Sequence, residues 1–310
     1  MRIAVFGGSG FIGSNLTQRL LADGHFLNIF DHQSTSTTNW APHPQVKRFF
    51  GDFRVMRDFS EVVENCDAVF HLISTALPST SSKNTLNDVQ ENLVPTIRLA
   101  ESMNACGVSK LIFPSSGGTV YGQAQQIPIT EKHPTEPIVS YGATKLAIEK
   151  YLYVYRQESP LRPICLRITN PYGPGFRPDS PQGAVGAFLY RALKNLPIEI
   201  WGKGDTRRDY LYIGDLIGAL TSTLNYSGDE HVINISTGIG TTLLELIEHI
   251  ELVLNRRLHV QFRDTRSFDV QSNVLSNNLA KSELNWTPSV DMVGGIRTTS
   301  AWLKSQLQLT

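Results

Sequence analysis

RIAVFGGSGFIG, residues 2–13, is the stretch that decides the fold. Its apolar run RIAVF, residues 2–6, predicts a buried parallel strand. Gly7, Gly10 and Gly13 then turn the chain into a helix whose N-terminus can hold a pyrophosphate. Because the spacing is GxxGxxG, the dinucleotide pattern GxGxxG is matched only loosely. The stretch still gives the order of strand, turn and helix that dinucleotide binding requires.

A second apolar run ends in an acidic residue. FLNIF, residues 26–30, predicts a strand, and Asp31 follows it eighteen positions after Gly13. An acid at this place accepts hydrogen bonds from a ribose 2′-OH and repels a 2′-phosphate. Asp31 therefore favours NAD over NADP. The alternative is that Asp31 only caps a turn.

Strands and helices alternate through the first half of the chain. Further strands are predicted at 46–50, 68–73, 110–113 and 163–168, with helices at 58–64, 89–105 and 141–156. This alternation predicts an α/β fold with a doubly wound parallel sheet of the Rossmann type.

The rhythm breaks after Asn170 in the turn-rich stretch PYGPGFRP, residues 171–178, which indicates a crossover to a second region. Later helix and strand patterns at 210–224 and 232–235 indicate that the chain returns to the sheet. We expect an NAD-binding Rossmann domain and a smaller C-terminal α/β substrate domain. The first takes residues 1–170 and about 207–236, and the second takes 171–206 and 237–310.

Composition and charge limit the classes of partner. The chain has 28 lysines and arginines against 28 acids, without a basic stripe, which argues against nucleic acid or a membrane surface. Cys66, Cys106 and Cys165 lie far apart without metal-ligand spacing, so we expect reduced thiols and no metal. No apolar run has secretory or membrane-spanning character, so we expect a cytoplasmic protein.

Tyr141 and Lys145 form a candidate catalytic pair. They lie four residues apart on a predicted helix, so both side chains occupy one face. An ammonium there can lower the pKa of the phenol and prepare it as a proton acceptor. Any amphipathic helix can carry such a pair by chance, but together with the glycine turn the pair indicates hydride chemistry.

SSGGTVYG, residues 115–122, is the last of the motifs that characterise this chain. With the glycine turn, Asp31 and the Tyr141/Lys145 pair, it resembles the extended short-chain dehydrogenases, and among them the nucleotide-sugar 4-epimerases typified by UDP-glucose 4-epimerase. The likeness runs nearly end to end, and further matching residues are 52–53, 71–72, 92, 166–170, 208–210, 266–269 and 284–288.

The resemblance implies a tightly bound NAD and a homodimer formed through helices 89–105 and 141–156. It also implies that Tyr141 takes the proton of the sugar 4-OH while hydride passes from C4, and that the 4-keto sugar turns and is reduced on its other face. The residues that it implies for cofactor binding are Gly7, Gly10, Phe11, Ile12, Gly13, Asp31, Asp52, Phe53, Leu72, Ser74, Asn92, Ser115, Tyr141 and Lys145.

The family serine that assists the tyrosine is replaced here by Gly117. Ser116 is the nearest substitute and Thr119 the next, and we hypothesise that Ser116 carries the role; the alternative is that Ser115 and Ser116 only end a strand. Dehydratases of the family carry an Asp-Glu pair where this chain has Gly118-Thr119, which disfavours elimination. A nucleotide-sugar 4-ketoreductase with net cofactor turnover is the alternative to epimerisation.

The resemblance also implies residues that bind a nucleotide-sugar substrate, most simply a UDP-sugar. Arg208 and Arg266 would clamp the diphosphate, since the planar guanidinium suits phosphate oxygens. The remaining residues are Thr119, Asn170, Gln182, Gly183 and Asn273. Asn273 stands where a bulky family residue excludes an N-acetyl group, so we expect UDP-N-acetylhexosamines to be accepted, as in enzymes that supply polysaccharide precursors.

Overall fold

The computed structural model describes residues 1–33, 42–79, 81–177, 183–264 and 270–309. The chain divides into two compact units. The first unit comprises Met1–Gly122, Pro134–Ile168 and Ala219–Ile233, and the second comprises Gln123–His133, Thr169–Gly218 and Asn234–Thr310. The cofactor-binding and substrate-binding roles assigned above to the two regions stay predictions.

A seven-stranded sheet organises the first unit. Its strands are β1 (Arg2–Phe6), β2 (Phe26–Asp31), β3 (Val46–Phe50), β4 (Ala68–His71), β5 (Lys110–Ser116), β6 (Arg162–Ile168) and β11 (Val232–Ile235). They lie in the order β11-β6-β5-β4-β1-β2-β3, and all pairings among β1 to β6 are parallel. The predicted doubly wound parallel sheet is confirmed.

The order of the strands reverses between β1 and β4, which places the switch point of the sheet there. The glycine turn follows β1 and the segment from Leu72 to Ser74 follows β4. Leu72 N donates to Phe6 O at 2.9 Å, so the two segments leave the sheet side by side. Ligands of open α/β sheets bind at the carboxyl ends of strands beside such a switch point.

The helices of the first unit connect these strands. They are α1 (Phe11–Ala22), α2 (Ser60–Val63), α3 (Thr85–Asp88), a π-helical turn (Val89–Leu93), α4 (Val94–Ala105) and α5 (Ser140–Glu158), with short 3₁₀ turns at Ser81–Lys83 and Thr223–Asn225. The predicted helices at 58–64, 89–105 and 141–156 are confirmed, although the second contains the π-helical turn.

Aromatic side chains fill much of the core of the first unit. Phe6 lies at the centre, with ring centroids 5.1 Å from Phe30, 5.5 Å from Phe59 and 6.1 Å from Phe53. All four rings are at most 4% exposed. Aromatic packing of this kind stabilises β1 and β2 and therefore fixes the turn and the carboxylate at their ends.

The second unit contains short strands and packed helices. Its further strands are β7 (Asn170–Tyr172), β8 (Ile198–Trp201), β9 (Arg207–Arg208), β10 (Tyr210–Tyr212), β12 (Thr241–Thr242), β13 (Val260–Arg263) and β14 (Ser272–Asn273). The helices are α6 (Ala184–Leu193), α8 (Leu243–Leu254), α9 (Asn278–Leu284) and α10 (Met292–Gln306), and α7 (Ile213–Ser222) runs on into the first unit. An apolar core joins α6, α8 and α10.

Within the described ranges, no helix has both the length and the apolar character that crossing a membrane requires.

Candidate active site

The glycine turn brings the start of α1 close to the end of β1. Gly10 is the N-cap of α1 and donates its N–H to Gly7 O at 3.1 Å. A Cβ atom on Gly13 would lie 2.0 Å from Gly7 O, and Gly7 has a φ of +87°. Larger residues at these two positions would force the helix away from the strand. The predicted roles of the first and third glycines therefore agree with the packing.

Asp31 ends β2 beside this turn and is 6% exposed. Its carboxylate accepts the N–H of Ser9 at 3.0 Å and the Ser9 hydroxyl at 2.8 Å. Burial raises the pKa of Asp31, while the Ser9 hydrogen bonds and Arg48 oppose the rise. The acid is thus held against the turn, where a ribose hydroxyl would meet it.

These residues fit a dinucleotide. Gly10 offers no side chain at the N-terminus of α1, and Phe11 and Ile12 form the first turn of that helix with no acidic residue beside them. The helix terminus therefore presents free N–H groups and a positive dipole end to a pyrophosphate. Asp31 lies at the end of the next strand, as a ribose acceptor requires.

Of the two neighbouring residues predicted to bind the cofactor, Asp52 lies at the surface and Phe53 in the core. The Asp52 carboxylate accepts hydrogen bonds from Arg54, with Nη2 at 2.7 Å, and this guanidinium lowers the pKa of Asp52. The Phe53 ring packs at 4.9 Å from His71 inside the aromatic core. The ring of Phe53 is therefore a core element, which its position after a strand did not reveal.

Asn92 holds the segment that carries Ser74. Its Oδ1 accepts the N–H of Thr75 at 2.9 Å, and its Nδ2 donates to Thr75 Oγ1 at 3.0 Å and to Asp88 Oδ1 at 3.0 Å. The predicted cofactor residue Asn92 is thus occupied in bracing the segment after β4. Ser74 itself is exposed and donates to Ala76 O at 3.3 Å.

Tyr141 lies in the first turn of α5, and its backbone is hydrogen-bonded to a residue that is distant in sequence. Its N–H donates to Ser81 Oγ at 3.0 Å. Burial raises the pKa of Tyr141 to about 12; the Ser74 side chain opposes this rise and the charge of Asp88 adds to it.

Lys145 lies one turn further along α5 and is 7% exposed. Its ammonium donates to Pro114 O at 3.0 Å and sits 4.5 Å from the Phe113 ring centroid and 5.7 Å from that of Tyr141. Burial lowers the pKa of Lys145 to about 8, against the charges of Asp88 and Glu149. The ammonium is directed at Pro114 O, so the lowering of the pKa of Tyr141 by Lys145 stays a prediction.

Ser115 is the last but one residue of β5 and donates its hydroxyl to Glu149, one turn beyond Lys145. Glu149 pairs with Arg167 through a 2.6 Å contact, and the side chains are 2% and 4% exposed. The Arg167 guanidinium stacks 4.8 Å from the ring centroid of Tyr121. Ser115 is thus tied into a buried ionic network below the catalytic pair.

Ser116 and Thr119 lie on either side of Gly117 and Gly118, and Gly117 is the residue that replaces the family serine. Ser116 is half-buried, and its carbonyl accepts the N–H of Val120 at 3.1 Å. The Thr119 hydroxyl oxygen is buried and has no hydrogen-bond partner among the described residues. Thr119 also packs on Gly142, where a Cβ atom would lie 2.5 Å from Thr119 O. The Thr119 backbone therefore lies against the start of α5, and these contacts assign the role of the family hydroxyl to neither Ser116 nor Thr119.

The second unit contains a cavity of about 230 Å³. Three of the predicted substrate residues, Asn170, Gly183 and Arg208, line it. The other lining residues are Pro171, Tyr172, Ala184, Val185, Thr206, Tyr210 and Leu243. This lining combines one cation with several hydroxyl and amide groups and with apolar walls. It suits a ligand with an anionic group and a flat ring.

The remaining predicted substrate residues do not line this cavity. Asn273 is 1% exposed in the strand pair of β14 with β9, so the structure gives no open space beside it. Gln182 and Arg266 lie outside the described residues.

Three groups near the catalytic pair were missed by sequence reasoning: Ser81 with Ser82, Asp88, and the Glu149/Arg167 pair. Ser82 Oγ accepts the N–H of Ser140 at 3.3 Å, across 58 positions of sequence. Such contacts leave no local pattern. Glu149 was the exception, because it lies four residues after Lys145 on the same helix face.

In the described part of the chain, no three histidine, cysteine, aspartate or glutamate side chains are placed so that they could hold a metal ion.

Comparison with known proteins extends this picture. The model of the NAD-dependent epimerase/dehydratase family matches residues 3–236. A dTDP-4-dehydro-6-deoxyglucose reductase from Escherichia coli is 34% identical over 304 residues, covering 95% of each chain.

Two solved structures are similar over nearly the whole chain. A UDP-glucose 4-epimerase from Thermotoga maritima, determined with UDP-glucose, has a TM-score of 0.91 at 30% identity and covers 99% of this chain and 100% of its own. A UDP-N-acetylglucosamine 4-epimerase from Methanobrevibacter ruminantium, in complex with UDP-N-acetylmuramic acid, has a TM-score of 0.93 at 27% identity and covers 98% of each. The chain belongs to the NAD-dependent epimerase/dehydratase family, whose cofactor is NAD.

Proposed function

We propose that the protein is a nucleotide-sugar 4-epimerase that holds NAD tightly and acts through a transient 4-keto sugar. The observation that carries the proposal is the arrangement of the first unit. Tyr141 and Lys145 share one face of α5, with the Lys145 ammonium bound at the end of β5. The glycine turn and Asp31 lie at the ends of β1 and β2 in the same sheet.

Each residue of the first unit has a defined task in this proposal. Tyr141, as its phenolate, takes the proton of the sugar 4-OH and later returns it. Lys145 binds the nicotinamide ribose hydroxyls, and Ser116 or Thr119 contacts the sugar oxygen. NAD, when bound, accepts hydride from C4 and gives it back. Because the pKa of Tyr141 is about 12 here, the rate should rise with pH through the neutral range.

The second-unit cavity supports a nucleotide diphosphate as the recognised group. Arg208 supplies a permanent positive charge to the lining of this cavity. Asn170 lines the same cavity and donates its side-chain N–H to Asp209 O at 2.9 Å. UDP-hexoses and UDP-N-acetylhexosamines are the proposed substrates, and the two 4-epimerase structures support this class. The burial of Asn273 removes the argument that this residue makes room for an N-acetyl group.

A nucleotide-sugar 4-ketoreductase is the second candidate. The E. coli relative at 34% identity is named as a dTDP-4-dehydro-6-deoxyglucose reductase, and such a reaction uses the same tyrosine and lysine. The two functions differ in their cofactor balance. A reductase consumes reduced cofactor in proportion to product, whereas an epimerase regenerates NAD in each turnover.

One assay separates these functions. The purified protein is incubated with UDP-, GDP-, CDP- and dTDP-hexoses and N-acetylhexosamines without added cofactor, and the products are resolved by NMR. We expect interconversion of 4-epimers of a UDP-sugar, abolished by Tyr141→Phe and retained by Tyr151→Phe, a change at an exposed tyrosine of the same helix. No epimer from any sugar, with stoichiometric oxidation of NADH or NADPH in a parallel incubation that contains this reduced cofactor and a dTDP-4-keto-6-deoxy sugar, would establish the reductase instead.

We propose further that the protein is a cytoplasmic homodimer that serves polysaccharide precursors. Tyr151 and Val154, which lie three residues apart on α5, are 49% and 45% exposed, which supports a face for a second copy on this helix. Light scattering after size-exclusion chromatography tests this. A monomeric mass at micromolar concentration would contradict it.

A further inference from the structure

Asp209 stands between two short strands that belong to different sheets of the second unit. Before it, β9 pairs with β12 and β14, and after it, β10 pairs with β7. Its neighbours in the chain, Arg208 and Tyr210, both line the second-unit cavity. Asp209 itself is 0% exposed, so its side chain is out of reach of a ligand. An effect of Asp209 on a ligand must therefore pass through its neighbours.

The Asp209 carboxylate is held by a turn that is distant in sequence. Its Oδ1 accepts the N–H of Thr237 at 3.0 Å and the Thr237 hydroxyl at 2.7 Å, and its Oδ2 accepts the N–H of Gly238 at 3.0 Å. The Thr169 hydroxyl adds a longer contact to Oδ1, at 3.4 Å. An ionised carboxylate accepts with both oxygens at once, which a hydroxyl or an amide cannot do. These contacts fix the direction of the side chain.

The backbone of Asp209 is bound as well. Its carbonyl oxygen accepts the backbone N–H and the side-chain N–H of Asn170, at 3.1 and 2.9 Å. Its own N–H donates to Asn273 O at 3.2 Å. Asn170 lines the cavity together with Arg208 and Tyr210. Three lining residues are therefore neighbours or hydrogen-bond partners of one buried acid.

We propose that Asp209 is a positioning residue that holds the Arg208 guanidinium at the wall of the cavity and thereby sets the affinity for a diphosphate. This inference rests on the proposed function, in which the cavity binds the diphosphate of a UDP-sugar. Arg208 is half-buried, and its Nη1 donates to Arg207 O at 2.9 Å, which ties the guanidinium to the backbone of β9. A guanidinium that is already in place loses less conformational freedom when an anion binds.

The charge of Asp209 argues against a role in stability alone. The groups that donate to its carboxylate, from Thr169, Thr237 and Gly238, are all uncharged. Burial raises the pKa of Asp209 to about 6, although the hydrogen bonds from Thr237 and Gly238 oppose the rise. The ionised acid therefore disfavours folding at neutral pH. The placement of its neighbours gives an acid at this position a purpose that stability does not.

Calorimetry with UDP at about pH 8 tests the inference, because Asp209 is then ionised. Asp209→Asn replaces one acceptor oxygen by a donor and should weaken UDP binding about tenfold. Thr237→Val removes the hydroxyl that donates to Asp209 and should weaken binding about threefold, whereas Thr237→Ser should restore it. NAD binding, measured by fluorescence titration, should stay within about twofold of wild type in all three variants.

Asp215 provides a matched control. It is 7% exposed in the second unit and accepts the N–H and the hydroxyl of Ser289 and the N–H of Val290, at 3.1, 2.8 and 3.0 Å. Its neighbours in the chain, Gly214 and Leu216, are not among the residues that line the cavity. Asp215→Asn should therefore keep UDP affinity within about twofold of wild type. Equal weakening by the two aspartate variants overturns the inference, because general loosening of the unit would then explain both.

Arg208→Ala separates failure of this inference from failure of the proposed function. If Arg208→Ala weakens UDP binding and Asp209→Asn does not, Asp209 has no such role while the proposed function stands. If Asp209 acts through Arg208, the double variant should bind UDP within about twofold of Arg208→Ala alone. A full additional tenfold loss in the double variant overturns the inference.

Crystal structures of the variants give a result that does not depend on a ligand. A guanidinium displaced by about 1 Å or more in Asp209→Asn supports the inference even if wild type binds no UDP, and an unmoved guanidinium overturns it. If Asp209→Asn does not fold, the comparison of Thr237→Val with Thr237→Ser decides in the same way.

Discussion

Glu149→Gln removes one charge from the most deeply buried ion pair described here while nearly keeping the shape of the side chain. Glu149 and Arg167 are 2% and 4% exposed, so solvent does not screen their contact at 2.6 Å. Breaking a buried pair on one side leaves an uncompensated charge and costs about 3–5 kcal/mol. With a urea m-value of about 3 kcal/mol/M, the unfolding midpoint should fall by about 1–1.7 M.

Urea unfolding followed by far-UV circular dichroism measures this midpoint. Glu158→Gln, at an exposed residue of the same helix, should stay within about 0.5 kcal/mol of wild type. The double variant Glu149→Leu/Arg167→Met should be less destabilised than Glu149→Gln, because no lone charge stays buried. A Glu149→Gln protein that unfolds within about 1 kcal/mol of wild type would refute the reasoning, since the pair would then not be desolvated.

The other expectations concern the two ligand regions and pH. Gly13→Ala should abolish NAD binding, measured by fluorescence titration, because its Cβ would lie 2.0 Å from a backbone oxygen; binding close to that of wild type would contradict this packing. Asp31→Asn should reduce the preference for NAD over NADP about tenfold or more in the same titration, and an unchanged ratio would remove Asp31 from cofactor choice. Arg208→Ala should weaken UDP binding in calorimetry about tenfold, whereas a change at exposed Arg207 should not. Burial raises the pKa of Asp209 to about 6, above its unfolded value of 3.8, so its protonation favours the folded state. Thermal stability should therefore gain from this group as pH falls from about 6 to about 4, a gain that Asp209→Asn should lack.

The fold was predictable because each strand of the sheet is a short apolar run between turn residues. In RIAVF at residues 2–6 every residue after Arg2 is buried, and in VINI at residues 232–235 Asn234 is the one polar residue. Gln123–His133 falls within residues 1–170, which were predicted to form the first region, whereas it belongs to the second unit. Its link is the bridge of Ile129 with Leu275, a pairing across 146 positions that leaves no periodic signal.

The candidate site was predictable where a residue type is tied to a local geometry. Gly13 and Asp31 are such cases, since the turn and the strand end determine where they lie. The burial of the Phe53 ring was not predictable, because the sequence gives its position along the chain and not the side of the sheet on which the ring packs. The pKa of Tyr141 was also beyond sequence reasoning, because it depends on burial and on the direction of one lysine side chain.

The π-helical turn at Val89–Leu93 makes this part of the chain intolerant of shortening. Deletion of one residue from that turn would convert it into ordinary α-helix. The helix before the deletion would then rotate by about 100° relative to the helix after it. The Asp88 carboxylate would then move away from the Ser140 hydroxyl. The Asp88 carbonyl oxygen, which accepts a hydrogen bond from Asn92, would move as well. A single deletion in this turn would thus break the hydrogen bonds that hold the start of α5, where Tyr141 lies.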